Sequence, residues 1–158
     1  MLAALAATLA ACPSAPVEPS APPAPPAEDV GPRVRFVPAT PGEVTALVRA
    51  FAAEARAGGR APLVYVGATW CEPCQYFHGA VERGDLDAEL PRLALLEFDR
   101  DRDGERLDAA GYGSLMIPLF VVPEADGRGG ARRIEGSIHG PGSPAQIVPR
   151  LRAILGPP

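Results

Sequence analysis

Two cysteines separated by two residues give the sequence its clearest chemical signal. Cys71 and Cys74 follow an apolar run at residues 63–66, which predicts a buried strand, and they begin a segment predicted to be helical. At the start of a helix, free backbone N–H groups and the positive end of the helix dipole stabilise a thiolate, here on Cys71. One helical turn brings Cys74 within disulfide range. One sulfur can therefore attack a substrate disulfide while the other resolves the mixed disulfide.

The elements that must position this pair alternate along the chain. Apolar runs and alternating patterns predict strands at residues 34–37, 63–66, 93–98, 119–122 and 132–136. Apolar residues at helical spacing predict helices at residues 44–55, 73–83 and 102–110, and a last helix that contains Ile147, Leu151 and Leu155. The order β-α-β-α-β-α-β-β-α predicts an α/β fold with helices on both faces of the sheet. The last two strands form a hairpin, so the central sheet is expected to be mixed.

Local patterns also predict where helices begin. Thr40 is the expected N-cap of the first helix, with Glu43 as the reciprocal partner in a capping box. Pro73 fits the first turn of the second helix, because its missing N–H would have had no partner there. Ser143 begins another possible capping box. Pro149 would break a helix that began at Ser143, so the start of the last helix stays open.

Two stretches of the sequence together resemble the thioredoxin family. Residues 70–74 read Trp-Cys-Glu-Pro-Cys, where thioredoxins have Trp-Cys-Gly-Pro-Cys. Residues 112–118 read Tyr-Gly-Ser-Leu-Met-Ile-Pro, with the spacing of the Tyr-Gly-x-x-x-Ile-Pro stretch that ends in the cis-proline of thioredoxins. The resemblance covers residues 33–156 and agrees with the order of the elements. It implies a thioredoxin fold and a thiol–disulfide oxidoreductase that needs no cofactor.

The resemblance also implies roles for individual residues. Cys71 would be the nucleophile, Cys74 the resolving thiol, and Trp70 the flanking aromatic residue that shields the pair. Ile117 and Pro118 would form the wall against which a substrate docks, with the Ile117 backbone pairing with an extended segment of the substrate. A cis bond before Pro118 would place backbone groups beside the redox pair.

Two departures from the family pattern bear on the chemistry. Thioredoxins have a buried Asp six residues before the first Cys, and this chain has Tyr65 there; its Lys partner is missing because the chain has no Lys. Deprotonation of Cys74 would then use another group, with Glu97 or water as candidates. Glu72 replaces the Gly between the cysteines. Its carboxylate disfavours a thiolate on Cys71, which favours a more reducing couple.

The first 32 residues have the composition of an export signal and a tether. Residues 1–12 are small and apolar and end in Leu-Ala-Ala-Cys, which resembles a bacterial lipobox with Cys12 as the lipidated residue. No Lys or Arg precedes this apolar run, which departs from the usual signal pattern. Residues 13–32 are rich in Pro and Ala and predict a disordered, extended tether. The thioredoxin-like domain is expected at residues 33–158.

These patterns predict a lipid-anchored thiol–disulfide oxidoreductase of the bacterial cell envelope that faces the periplasm. The chain has 158 residues, 47% of them hydrophobic, and a net charge of −4, so we expect one packed domain and no nucleic-acid partner. The expected substrates are protein disulfides, which the pair reduces. A membrane or periplasmic electron donor would re-reduce the pair. We expect a monomer, and an oxidase or isomerase acting through the same residues stays an alternative.

Two further alternatives use the same fold. Cys71, Cys74, His78 and His139 are candidate ligands for zinc or copper, as in a copper-delivery protein, although no metal is predicted. In a binding module the disulfide would only be structural. A disulfide that closes so short a loop adds little stability, which favours redox turnover.

A calcium site is the remaining candidate. Asp99, Asp101 and Asp103 have the spacing of the first half of a calcium loop. The second half fails, because Arg106 replaces an apolar residue and Ala110 replaces the required Glu. The preferred interpretation is a solvated, charged turn after a strand.

Overall fold

The computed structural model describes residue 31 and residues 33–156 of the chain. Its elements follow the predicted order, and they are β1 Arg35–Pro38, α1 Val44–Ala57, β2 Ala61–Gly67, α2 Glu72–Arg83, β3 Leu93–Asp99, α3 Arg100–Ala109, β4 Leu119–Pro123, β5 Gly129–Glu135 and α4 Ser143–Leu155. The prediction of an α/β fold is confirmed. The predicted lipidation residue Cys12 and the predicted tether, apart from residue 31, lie outside the described residues.

The five strands form one mixed sheet in the order β1-β3-β2-β4-β5. The three strands β1, β3 and β2 run parallel, whereas β4 pairs antiparallel with β2 and β5 pairs antiparallel with β4. The predicted hairpin of the last two strands is therefore confirmed. Strand β2 lies in the middle of the sheet, and the cysteine pair follows directly from its carboxyl end.

The two faces of the sheet are covered by different helices. Because side chains alternate along a strand, Leu63 and Tyr65 of β2 face one core, and Val64 and Val66 face the other. The first core includes residues of α2 and α4 together with both cysteines. The second core includes residues of α1 and α3. Helix α2, which carries the cysteine pair, thus packs on the sheet beside α4.

The N-cap of α1 differs from the prediction. Helix α1 begins at Val44 and its N-cap is Glu43, whose carboxylate accepts hydrogen bonds from the amides of Thr45 at 2.9 Å and Ala46 at 2.7 Å. The expectation that Thr40 caps this helix is wrong. Gly42 has a φ of 140°, a conformation that favours glycine, so the helix cannot extend back through it. Contacts from Thr45 and Ala46 lower the pKa of Glu43.

The last helix also corrects an expectation. Helix α4 runs from Ser143 to Leu155 and contains Pro149 in its interior. Pro149 is exposed, while Ile147 and Leu151 on the opposite side are fully buried against the sheet. Burial of such side chains offsets the hydrogen bond that the proline removes. The Ser143 side chain does not cap the helix, because the N-cap residue is Gly142, which has no side chain that could accept a hydrogen bond.

A buried arginine ties the start of the domain to the sheet. The Arg60 guanidinium donates to the carbonyl oxygens of Arg33 at 2.7 Å and Gly31 at 2.9 Å. These contacts fix the chain at the position where the sequence predicts the domain to begin. Within residues 33–156, no helix combines the length and the apolar character that a membrane span requires.

Candidate redox site

The two cysteines of the predicted redox pair are joined by a disulfide. The Cys71 and Cys74 sulfurs are 2.08 Å apart and the Cα atoms are 5.2 Å apart. Cys71 is the N-cap residue of α2, and the backbone N–H of Cys74 donates to the Cys71 sulfur at 3.3 Å. Both residues are almost fully buried, at 3% and 2% exposure. The helix N-terminus therefore directs an N–H group at the sulfur on which a thiolate would form.

Pro73 joins the cysteine pair to the last helix. It lies in the first turn of α2, as the sequence predicts. Its carbonyl oxygen accepts a hydrogen bond from the Ser143 hydroxyl at 3.3 Å, and Ser143 is fully buried. The Ser143 hydroxyl therefore links the start of α4 to the first turn of α2 by a hydrogen bond. The two residues are 70 positions apart, so no local pattern indicates the contact.

Glu72 forms a hydrogen-bonded pair with His139 on the surface. The His139 Nδ1 atom lies 2.6 Å from a carboxylate oxygen of Glu72, and we call these two residues the rim pair. The His139 side chain is 84% exposed and the Glu72 side chain is 45% exposed. When His139 is protonated, its charge opposes the effect of the Glu72 carboxylate on a neighbouring thiolate. The two residues are 67 positions apart, so no local pattern indicates their contact.

Trp70 lies on the surface beside the pair and is not a core residue. It is 64% exposed, and its indole N–H donates to a carboxylate oxygen of Asp101 at 2.8 Å. Gln75, in the first turns of α2, donates its side-chain amide to the Thr69 carbonyl oxygen at 2.5 Å. These two hydrogen bonds hold the loop between β2 and α2 at Thr69 and at Trp70.

The predicted docking segment precedes β4. The Ile117–Pro118 peptide bond is cis, as expected from the sequence. Ile117 is partly buried and packs against the core that contains both cysteines, and the Pro118 carbonyl oxygen accepts from the Gly136 amide at 2.9 Å. Leu115 and Met116, just before them, are large hydrophobic residues that are exposed. An apolar surface therefore adjoins this segment.

A cavity of about 450 Å³ lies beside Cys74. Its walls include Cys74, Tyr65, His78 and Glu97, and the His78 Nε2 atom lies 2.8 Å from a carboxylate oxygen of Glu97. We call His78 and Glu97 the cavity pair. Both side chains are 30% exposed. The Phe36 ring stacks on the His78 ring, with centroids 3.9 Å apart and planes 5° apart, so the orientation of the imidazole is fixed by packing.

Tyr65 stands where the resemblance to thioredoxins predicts a buried Asp, and it lines this cavity. Tyr65 is fully buried, and among the described residues its hydroxyl has no hydrogen-bond partner. Burial, and to a lesser extent the charge of Glu97, raise the pKa of Tyr65 far above its ordinary value. The hydroxyl stays protonated and cannot act as a base. A Cβ atom at Gly67 would overlap this hydroxyl, so glycine is needed there.

The candidate metal ligands are engaged elsewhere. Cys71 and Cys74 are bonded to each other, His78 pairs with Glu97, and His139 pairs with Glu72. In the part of the chain that the structure describes, no three His, Cys, Asp or Glu side chains converge as metal ligands do.

The acidic segment that resembles a calcium loop is helical. Asp99 is the N-cap of α3, and one of its carboxylate oxygens accepts from the amides of Asp101 and Arg102. Asp103 is buried and forms ion pairs with Arg102 and Arg106 at 2.9 and 2.8 Å. The expectation of a solvated turn is wrong, because the cap starts the helix at Arg100 and the arginines neutralise the buried carboxylate.

Comparison of the chain with family models, with curated proteins and with solved structures found no significant match. The residues of the chain place a disulfide at a helix N-terminus. An exposed histidine–carboxylate pair includes the residue after Cys71, and a partly buried histidine–carboxylate pair lines the same cavity as Cys74.

Proposed function

We propose that the protein is a thiol–disulfide oxidoreductase with a thioredoxin fold, and that it acts as a reductase of protein disulfides. The observation that carries the proposal is the Cys71–Cys74 disulfide at the first turn of α2, where the Cys74 amide donates to the Cys71 sulfur. A backbone donor at this position stabilises a thiolate, which is the reactive form of a cysteine.

The architecture supports the fold assignment. The element order, the mixed sheet with β2 at its centre, and helices on both faces agree with the resemblance to thioredoxins. The cis bond before Pro118 lies where that resemblance expects it. The two stretches that carry the resemblance also meet in space, since Ile117 packs against the core that contains both cysteines.

The proposed reaction transfers two electrons from the reduced pair to a substrate. The Cys71 thiolate attacks one sulfur of a substrate disulfide, so a mixed disulfide forms, the substrate S–S bond breaks and one substrate thiolate leaves with a proton from water. The Cys74 thiol then loses its proton and attacks the Cys71 sulfur. The Cys71–Cys74 bond forms, the mixed disulfide breaks, and the second substrate thiolate is protonated. A dithiol donor outside this chain then reduces the Cys71–Cys74 disulfide by the same two exchanges, becomes a disulfide itself and restores the reduced pair.

The direction follows from Glu72. Its carboxylate is next to Cys71 and disfavours the thiolate of the reduced form, which makes the couple more reducing. Measurement of the reduction potential of the full chain in a thiol buffer tests this direction. A value below about −230 mV supports a reductase, whereas a value above about −150 mV would indicate an oxidase or isomerase. A pair that does not exchange with thiols at all would contradict the proposal.

Turnover with a protein disulfide tests the roles of the two cysteines. We expect Cys71→Ser to abolish reduction and Cys74→Ser to stop the reaction at a mixed disulfide with the substrate, visible by mass spectrometry. Cys12→Ser is the matched control and leaves turnover unchanged. Equal activity of Cys71→Ser and the unchanged chain would contradict the assignment.

The exposed residues before the cis bond are proposed to contact the substrate. Leu115→Ser is expected to lower kcat/KM for a protein disulfide several-fold and to leave the reaction with a small aromatic disulfide unchanged. Anchoring to the membrane of the cell envelope through Cys12 stays a prediction from the sequence. Incorporation of a labelled fatty acid into the full chain, and its loss in Cys12→Ser, would test it.

A further inference from the structure

We infer that His78 is the base that takes the proton from Cys74 when the mixed disulfide is resolved, and that Glu97 positions His78 and stabilises its charged form. The inference rests on the proposed function, because it concerns the second thiol of that reaction. Such a base is needed because Cys74 is buried. It is 2% exposed, and a thiol among apolar groups does not ionise readily without a neighbouring base.

The helix geometry brings the two side chains together. His78 follows Cys74 by four residues on α2, so the two side chains lie on one face of the helix, with Cβ atoms about 5–6 Å apart. Helical side chains point towards the N-terminus of their helix, which directs the His78 imidazole towards the turn that carries Cys74. Both residues line the same cavity.

The contact with Glu97 leaves one ring nitrogen of His78 available for the proton. In the tautomer that donates its Nε2–H to Glu97, the lone pair of the neutral imidazole is on Nδ1. Nδ1 is the nitrogen nearer to the helix backbone. The stacked Phe36 ring holds the imidazole in this orientation. A proton taken up at Nδ1 creates an imidazolium, which the Glu97 carboxylate stabilises at 2.8 Å.

The cavity suits proton transfer through one water molecule. Its volume of about 450 Å³ is ample for water, and its walls include Cys74, Tyr65 and the cavity pair. Tyr65 stays protonated, so it cannot replace His78 as the base.

Other charged and titratable groups surround the cavity pair. On one side the cavity pair faces Arg33, Arg35 and Glu82. On the other side it faces Asp99, Arg102 and Tyr65. In this cavity a carboxylate on β3 supports a histidine on α2, and the histidine can accept the proton that Tyr65 cannot accept.

The step is balanced. In the mixed disulfide, the Cys74 S–H bond breaks and its proton moves to Nδ1 of His78, directly or through water. The Cys74 thiolate attacks the Cys71 sulfur, so the Cys71–Cys74 bond forms and the bond between Cys71 and the substrate breaks. The substrate sulfur leaves with the electron pair and then takes the proton back from the imidazolium.

The test separates the two thiols by using a small aromatic disulfide that releases a coloured thiol. The full chain carrying Cys12→Ser is reduced and mixed with a limiting amount of dithiobis(nitrobenzoate). Attack by Cys71 releases the first thiol, and resolution by Cys74 releases the second. We expect His78→Gln and Glu97→Gln to slow the second release about 10-fold or more at neutral pH, and to leave the first release unchanged. In the variants, the second rate should rise with pH from neutral to beyond about 8.5, because the buried thiol must then ionise without the base.

Two controls exclude a merely structural effect. Glu89→Gln removes the carboxylate from a surface ion pair with Arg152, and it should leave both releases unchanged. Free imidazole should restore the second release of His78→Ala in proportion to its concentration, which a distorted structure would not allow. If His78→Gln resolves at the rate and with the pH profile of the unchanged chain, the inference is wrong. If the unchanged chain shows no second release at all, the proposed function itself fails.

Discussion

The two histidine–carboxylate pairs beside the disulfide have the same chemistry and differ in their surroundings. The rim pair, Glu72 and His139, lies next to Cys71, and its histidine is 84% exposed. The cavity pair, His78 and Glu97, lies beside Cys74, with both side chains 30% exposed and an aromatic ring stacked on the histidine. The distances between nitrogen and oxygen are similar, 2.6 and 2.8 Å.

The comparison shows why distance alone does not rank ionic contacts. Water and salt screen an exposed pair, and such a pair contributes little to stability. A pair in a partly enclosed cavity is screened less by bulk water and salt, so its two groups interact more strongly at the same distance. We therefore expect the cavity pair to control a chemical step and the rim pair only to adjust the reduction potential.

The largest effect on stability is expected from a third carboxylate, Asp103, which is more deeply buried than either pair. Its side chain is 3% exposed and forms ion pairs with Arg102 and Arg106. Asp103→Asn should lower the free energy of unfolding by about 2–3 kcal/mol, because two hydrogen-bonded charges lose their partner. Urea unfolding at neutral pH measures this. Asp108→Asn, on the same helix with its carboxylate half exposed, is the control and should cost less than about 0.5 kcal/mol.

The Asp103 contribution should also depend on pH. Burial alone would raise its pKa, but hydrogen bonds from Arg102 and Arg106 and from the Asp99 amide outweigh burial and lower the pKa. A carboxyl whose pKa is lowered by folding stabilises the protein above its unfolded value and loses that effect as the pH falls through the folded value. The difference between the unchanged chain and Asp103→Asn should therefore shrink below about pH 4. A constant difference from neutral pH to about pH 2 would contradict the assignment.

Much of the fold could be predicted from the sequence, because each strand and helix has a strong local pattern. Apolar runs of strand length, such as residues 63–66 and 93–98, indicate buried strands, and Gly84 ends α2 in a left-handed conformation. The order of strands in the sheet could not be predicted. Local patterns do not say that β3 inserts between β1 and β2, since that choice depends on packing among distant residues.

The start of α1 and the long-range contacts at the site also could not be predicted from local patterns. The capping pattern at Thr40 misleads because Gly42 interrupts the helix and the Glu43 carboxylate caps it three residues later. The disulfide could be predicted, since its two residues are three positions apart. The contacts of Glu72 with His139 and of Trp70 with Asp101 join residues 67 and 31 positions apart, and only the fold brings them together.

Stability measurements should also distinguish the two histidines, with losses smaller than the one expected for Asp103→Asn. His78→Ala removes a ring stacked on Phe36 and leaves Glu97 without its partner, so it should lower the free energy of unfolding by about 1–2 kcal/mol. His139→Ala should change it by less than about 0.5 kcal/mol. Both values come from urea unfolding of the oxidised chain. Equal losses for the two variants would remove the distinction between the cavity pair and the rim pair.

The smallest effect is expected at the rim pair and should appear in the reduction potential. Glu72→Gln removes the charge that disfavours the Cys71 thiolate, so the reduced form becomes more stable and the potential rises. The expected rise is about 10 mV, equivalent to about 0.5 kcal/mol for two electrons. His139→Gln should change the potential by a smaller amount, because this 84% exposed side chain contacts Glu72 and acts on the sulfur only through it.

Salt distinguishes this surface effect from a direct contact with the sulfur. At about 1 M salt the Debye length is about 3 Å, so the difference between Glu72→Gln and the unchanged chain should largely disappear. The slow second release of Glu97→Gln should persist at the same salt, because the cavity pair is partly enclosed. A Glu72→Gln shift that survives high salt would mean that Glu72 acts on Cys71 at short range, and the two pairs would then differ in position rather than in exposure.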